Sequence, residues 1–182
     1  MKTLFRPGSR SCGLLAAVLL AAPLTAVAAG PVAPAPGEAS GSFVVDGKPV
    51  SFTRAYARAI KDSQGKDWTS VLITDKPVPE ALLKQADASF SDVLQAAQVN
   101  GLTFRFAADG KAESWSWVHP GLSIGCGFCS ELQVKLEPKT AGAIAGEAFS
   151  TKPQTFMKQG YQFRARFNAR LGAAPAAATK KK

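Results

Sequence analysis

The sequence predicts a mainly β protein, a single antiparallel β-barrel or sandwich domain with a short helical insertion at about residues 79–99. Apolar and polar residues alternate along most of the chain between residues 42 and 171, which is the period of a strand with one buried face. Asp-Gly pairs, typical of tight hairpin turns, separate neighbouring segments. Hairpins that are local in sequence indicate an antiparallel sheet, and periodicity alone does not distinguish a barrel from a sandwich.

The chain begins with a segment that is organised like a signal peptide. Three basic residues and no acid occupy the first ten positions, and the apolar run "GLLAAVLLAA" follows. That run is too short to span a bilayer, and small residues in an A-x-A pattern end at Ala28. We expect cleavage after Ala28, a periplasmic or secreted protein, and no transmembrane segment after cleavage.

The remaining chain divides into three parts. Residues 29–41 are a Pro/Ala/Gly linker, residues 42–171 form the β-rich domain, and residues 172–182 form a disordered tail ending in three lysines. The whole chain carries a formal charge of +9, three of which come from basic residues of the signal. The mild basicity that is left, together with export, argues against a nucleic-acid partner.

The first hairpin of the domain joins residues 42–45, through Asp46-Gly47, to a long second strand. Alternation along that strand places Arg54, Tyr56 and Arg58 on the same face as Phe52. Such a face is a barrel mouth or a binding surface, or else the strand changes sides at a bulge, which is the interpretation we favour.

The helical insertion lies in "PVPEALLKQADASFSDVLQAAQVNG". Pro79 and Glu80 are good first-turn residues, and Asn100-Gly101 is a typical helix stop. Ser89 or Ser91 divides the insertion into two short helices, because serine is a preferred N-cap.

Further strands are predicted on both sides of this insertion. They are "TSVLIT", "LTFRF", "AESWSWV", "ELQVKLE", "AGAIAGEAFS" and "YQFRARFNARL". "LTFRF" and "AESWSWV" form a hairpin through Asp109-Gly110. In the last strand Arg164, Arg166 and Arg170 share the polar face, which is a solvated face or a contact for an anionic polymer.

Trp115 and Trp117 are two residues apart on a strand and therefore point to the same side. Either they fill the core beside Phe104 and Phe106, or they form an aromatic platform that stacks on a sugar or another apolar ligand. Polar serines occupy the alternate positions, which favours the core.

The segment "HPGLSIGCGFCSE" contains the residues that could carry chemistry. In an exported chain, Cys126 and Cys129 are predicted to form a local disulfide. A dithiol redox centre and a metal site of His119, Cys126 and Cys129 remain alternatives, with copper(I) or zinc as the fitting metals. The β-like continuation after Cys129 disfavours a thioredoxin-type site, and Ser130 after the C-x-x-C excludes c-type haem attachment.

The segments "FVVDGKPVSFTRAYARAI" and "VLITDKPVP", with a terminal Y-x-F-x-A-x-F strand, resemble an uncharacterised family of secreted bacterial proteins. Members share a V-D-G-K hairpin and segments like A-Y-A and L-T-D-K-P, and the resemblance covers most of residues 42–171. It implies export and assigns no activity to any residue. The Cys-Gly-Phe-Cys element is outside the shared pattern.

Three functions are compatible with these features. The first, which we favour, is an exported non-enzymatic binding or interaction module without a cofactor, whose partner is an unknown ligand or envelope component. The second is a thiol-disulfide or metal-handling protein that uses Cys126 and Cys129. The third is a structural envelope protein that contacts anionic polymer. With one histidine and no nucleophile elbow or phosphate-binding loop, the sequence nominates no catalytic residue.

Overall fold

The protein is mainly β, with a curled antiparallel sheet that forms a half-barrel and two short helices, and this confirms the predicted fold class. The computed structural model describes residues 33–61, 64–85, 89–107, 109, 111–128, 132–138 and 142–172, with the backbone alone for residues 113 and 123–128. The strands are β1 (Glu38–Val45), β2 (Lys48–Ser51), β3 (Arg54–Lys61), β4 (Asp67–Thr74), β5 (Gly101–Ala107), β6 (Ala112–His119), β7 (Leu122–Phe128), β8 (Leu132–Leu136), β9 (Ala143–Ser150), β10 (Gln154–Phe156) and β11 (Gln159–Gly172). The helices are α1 (Glu80–Leu83) and α2 (Phe90–Ala97).

The sheet brings the first and last strands together. Its order is β7-β6-β5-β4-β3-β1-β11-β9-β8, with β2 paired to β1 and β10 paired to β11. Neighbouring strands are antiparallel, and the end of β11 also pairs with β3 in parallel. Strands β3 to β6 follow one another directly in space, interrupted in sequence only by the helical insertion.

The domain begins earlier than the sequence indicated. Strand β1 starts at Glu38, inside the stretch predicted to be linker, because the backbone there pairs with β11 from Glu38↔Asn168 onward. Gly41 is part of this strand with φ +108°, and a side chain at that position would collide with the carbonyl of Arg164. This glycine therefore allows the close approach of β1 and β11.

The long second strand of the first hairpin is divided. Strand β2 ends at Ser51 and β3 begins at Arg54. Phe52 packs in the larger core cluster, whereas Tyr56 packs against the smaller cluster below the helices. The prediction that Phe52 and Tyr56 share a face is therefore wrong, and the expected change of sides occurs at the break between β2 and β3.

The inner face of the curled sheet carries the main core. This cluster joins residues from strands near both ends of the sheet, such as Leu122 of β7 and Leu132 of β8. Its largest members are aromatic, and Trp117 is packed against the ring of Tyr161 at a centroid distance of 5.8 Å. Burial of apolar surface contributes roughly 25 cal/mol per Å², so large rings contribute more per residue than the smaller side chains around them.

The two helices cover part of the outer face. Phe90, Val93 and Leu94 of α2 pack on Leu72 of β4. Ser89 caps α2 in a capping box with Asp92, as the sequence suggested for Ser89. Neither described helix is long and apolar enough to cross a membrane.

Candidate functional site

A pocket of about 230 Å³ lies between the first turn of α2 and the outer face of strands β3 to β6. We call it the α2 pocket. Ser89, Phe90 and Ser91 form its helix side. Its polar residues on the sheet are Arg58, Ser70, Thr103, Arg105, Ser114 and Ser116.

The sheet register explains why these polar residues meet. Arg58 of β3 lies opposite Ser70 of β4, Ser70 lies opposite Arg105 of β5, and Arg105 lies opposite Ser114 of β6. Directly paired residues of neighbouring strands project on the same face of a sheet. Arginine and serine therefore alternate in one row across four strands. Thr103 and Ser116 form part of the next row.

Arg58 is the most buried charged side chain of the pocket, with 7% of its surface exposed. Its guanidinium donates a hydrogen bond to the carbonyl of Gln85 at 3.2 Å and lies over the Phe90 ring at 4.4 Å. Burial lowers the pKa of Arg58, and the nearby charge of Asp92 opposes this effect. An arginine starts from so high a pKa that it remains a cation at neutral pH.

Arg105 supplies the second cation of the row. Its guanidinium carbon lies 5.4 Å from the centroid of the Trp68 ring, at a distance typical of a cation–π contact. Ser91 and Ser116 share a hydrogen bond of 2.6 Å between their hydroxyl oxygens. This bond ties the helix to the sheet at the pocket wall.

The structure separates the three predicted binding residues of β3. Arg58 lines the α2 pocket. The Tyr56 hydroxyl accepts a hydrogen bond from the Val78 amide at 3.0 Å and so serves the packing of the helical insertion. Arg54 lies 3.8 Å from the carboxylate of Glu38 on the surface. These three side chains do not form one site.

Trp115 and Trp117 are core residues, with 3% and 1% of their surfaces exposed. Their ring centroids are 4.5 Å apart, and Trp115 lies 5.1 Å from Phe163 on the opposite side of the core. This burial agrees with the interpretation we favoured and does not leave an exposed aromatic platform. Trp115 still borders the α2 pocket.

His119 is buried in the inner core, where its ring meets that of Phe43 at 4.9 Å. Its Nδ1 accepts a hydrogen bond from the Gly121 amide at 2.9 Å. The backbones of Lys48 and Phe43 interact with the ring and act to raise its pKa, while Nε2 has no hydrogen bond of normal geometry. One ring nitrogen therefore already has a structural role.

The predicted disulfide and metal site fall mostly outside the described residues. Cys129 and the side chain of Cys126 lie there. On the backbone, Cys126 pairs with Ser116, three residues before His119 on β6. The three residues between Ser116 and His119 correspond to about 10 Å along β6. The backbone pairing therefore does not favour a site that Cys126 and His119 share. Among the side chains that are described, no group of three or more metal-ligating residues is close enough to hold an ion.

The arginines of β11 occupy its polar face as expected. Arg164 and Arg170 are exposed, and Arg166 is half-buried. Arg164 pairs with Glu147 at 2.6 Å, which raises the pKa of Arg164 and lowers that of Glu147. Part of this positive face is thus neutralised within the protein.

Sequence reasoning nominated Arg58 and Trp115, which both line the pocket, and missed its other residues. Arg105, Ser70, Thr103, Ser114 and Ser116 belong to the polar positions of alternating strands, which ordinarily face water. One feature of the sequence could have indicated the pocket. Several strands have a polar face, and the helical insertion between them must pack against some face of the sheet.

No protein family, curated protein or solved structure matches the chain in the comparisons. Function is therefore inferred from the residues and their geometry.

Proposed function

We propose that the protein is an exported, non-enzymatic binding module that holds a small polar ligand in the α2 pocket. The observation that carries this proposal is the convergence of two arginines and six hydroxyl side chains on one recess. Ligand pockets typically combine apolar walls with a few polar groups that fix orientation. Here Phe90 and Ile60 supply apolar wall, and the arginine and serine row supplies the polar groups.

The size of the pocket restricts the ligand. Its volume of about 230 Å³ lies below the 300–1,000 Å³ common for drug-sized ligands. We therefore expect a molecule no larger than about one sugar ring or a small organic acid. Among the residues that the structure describes, the pocket lining contains no His, Cys, Asp or Glu, which supports binding over acid–base chemistry.

Export is part of this proposal. The signal-like first 28 residues and the resemblance to secreted bacterial proteins support a periplasmic or secreted location. An oxidising location in turn supports a local disulfide between Cys126 and Cys129. The ligand would then be a solute or envelope component outside the cytoplasm.

A ligand panel tests the proposal. The unfolding midpoint of the purified protein is measured with small sugars, polyols, amino acids, organic acids and inorganic phosphate. A compound that binds only the folded protein raises the unfolding midpoint. At a concentration 100 times its Kd it adds about 2.7 kcal/mol to the free energy of unfolding. Ser114→Phe, which places a large side chain at the pocket, should abolish the increase.

Ser42→Phe is the matched control, because Ser42 is also a half-buried strand serine and does not line the pocket. It should keep the response of the unmodified protein. The proposal fails if no compound shifts the midpoint, or if Ser114→Phe responds as the control does.

A further inference from the structure

We propose that the ligand of the α2 pocket carries an oxyanion, a carboxylate or a phosphate, which Arg58 and Arg105 bind together. This inference rests on the proposed function and specifies the ligand class of the same site. It would make the protein a receptor for small acidic solutes.

The first support is the spacing of the two arginines. They lie on β3 and β5, with Ser70 of β4 between them in the same row. Since neighbouring strands are about 4.8 Å apart, the two arginine Cα atoms are separated by roughly 10 Å. Both arginine side chains line the α2 pocket, so from this separation they can contact one ligand held between them.

The second support is the chemistry of the row. A guanidinium presents several N–H donors in a plane that matches a carboxylate or phosphate, and a serine hydroxyl adds one O–H donor. Ser70 and Ser114 alternate with the arginines. The row can therefore donate hydrogen bonds to several oxygen atoms of one group. A neutral sugar could accept such bonds, but it carries no negative charge to pair with the arginines.

The third support is the surroundings of Arg58. It is held by the ring of Phe90 and by the carbonyl of Gln85, and 7% of its surface is exposed. An ion pair formed at such a site is screened less by water than a pair on the surface. The cation is thus positioned before the ligand arrives, which reduces the ordering cost of binding.

Asp92 is the described acid of α2 whose charge acts on Arg58. Its carboxylate accepts hydrogen bonds from the amide and hydroxyl of Ser89, at 2.8 and 2.7 Å. These bonds lower the pKa of Asp92 and engage its carboxylate in the helix cap. The cap therefore orients Asp92 toward Ser89.

The experiment is a calorimetric titration of the full mature chain with inorganic phosphate, acetate and succinate, and with the neutral compounds glycerol and succinamide. We expect binding of at least one oxyanion and tenfold or greater loss of affinity in Arg105→Gln and Arg58→Gln. Arg54→Gln is the matched control, since Arg54 lies outside the pocket, and it should bind within twofold of the unmodified protein. If Arg58→Gln does not fold, Arg105→Gln decides the question, because Arg105 is less buried.

The outcomes distinguish this inference from the proposed function. A phosphate-specific or a carboxylate-specific response supports it and identifies the source of the anion. Binding of neutral compounds that Ser114→Phe abolishes, without binding of any oxyanion, overturns the inference and keeps the binding module. Oxyanion binding that is equal in Arg54→Gln and Arg105→Gln also overturns it. No binding of any compound overturns both.

Discussion

At the scale of single residues, His119 shows how a chemically suggestive side chain acquires a packing role. Its ring is buried against Phe43, and Nδ1 accepts the Gly121 amide. Burial lowers the pKa of His119, and the carbonyls of Lys48 and Phe43 oppose the shift only in part. The folded protein therefore favours the neutral ring.

This shift predicts a loss of stability in mild acid. The pKa in the folded state lies below the unfolded value of about 6.5, so the unfolded chain binds more protons between these two values. Stability should be complete above about pH 6.5 and should fall as the pH decreases through that value toward the folded pKa. Urea unfolding between pH 5 and 8 measures this dependence.

His119→Gln provides the comparison, because glutamine does not titrate and its carbonyl oxygen can accept the Gly121 amide. His119 is the one histidine of the sequence, and the described acids with lowered pKa, Glu80, Asp92 and Glu147, titrate in a more acidic range. The variant should lose the dependence between pH 5 and 7. An unchanged slope would contradict the assignment to His119.

At the scale of elements, the helical insertion depends on the cap of α2. The Ser89 hydroxyl accepts the Asp92 amide at 3.2 Å, while the Asp92 carboxylate accepts the Ser89 amide. The prediction is that Ser89→Ala lowers the free energy of unfolding by about 1 kcal/mol, the usual loss for an N-cap serine.

Gln95→Ala is the control for that measurement, since Gln95 is exposed on the same helix and has no role in the cap. Chemical denaturation measures global stability, and amide hydrogen exchange at Asp92 and Val93 reports local opening. A Ser89→Ala protein as stable as Gln95→Ala would contradict a stabilising cap.

Elements were predicted well where local signals decide them. Alternation identified the faces of β5, β6 and β11, and the capping serine identified the division between α1 and α2. The start of β1 was missed because residues 38–41 become a strand through pairing with β11, for which their composition gives no signal. A change of sides along the second strand was expected, but alternation assumes a continuous strand and did not locate the break between β2 and β3.

The site was predicted only in part, because local sequence patterns do not report long-range packing. Arg58 was nominated from an unusual mixture of aromatic and charged residues on one strand. Arg105 and its serine neighbours occupy polar positions that local patterns do not single out, because the cover supplied by α2 is a long-range contact. A local pattern specifies which side chains share a face and leaves open what packs over it.

At the scale of the whole molecule, export makes a direct prediction about the amino terminus. We expect the protein recovered from the periplasm or medium to begin at Ala29, because the A-x-A pattern ends at Ala28. Amino-terminal sequencing and intact mass measure this. Replacing Ala28 with a bulky residue should slow processing, while the same change at Ala33 should not. A secreted protein that retains Met1 would contradict the assignment.

The pairing of β1 with β11 also has a consequence for biogenesis. Strand β11 lies between β1 and β9 in the sheet, so residues 159–172 must be synthesised before β1 can pair with its partner strand. Closing so long a loop before its contacts form makes folding slow. For the export that we propose, this late pairing is favourable, because a narrow translocation channel admits only an unfolded chain.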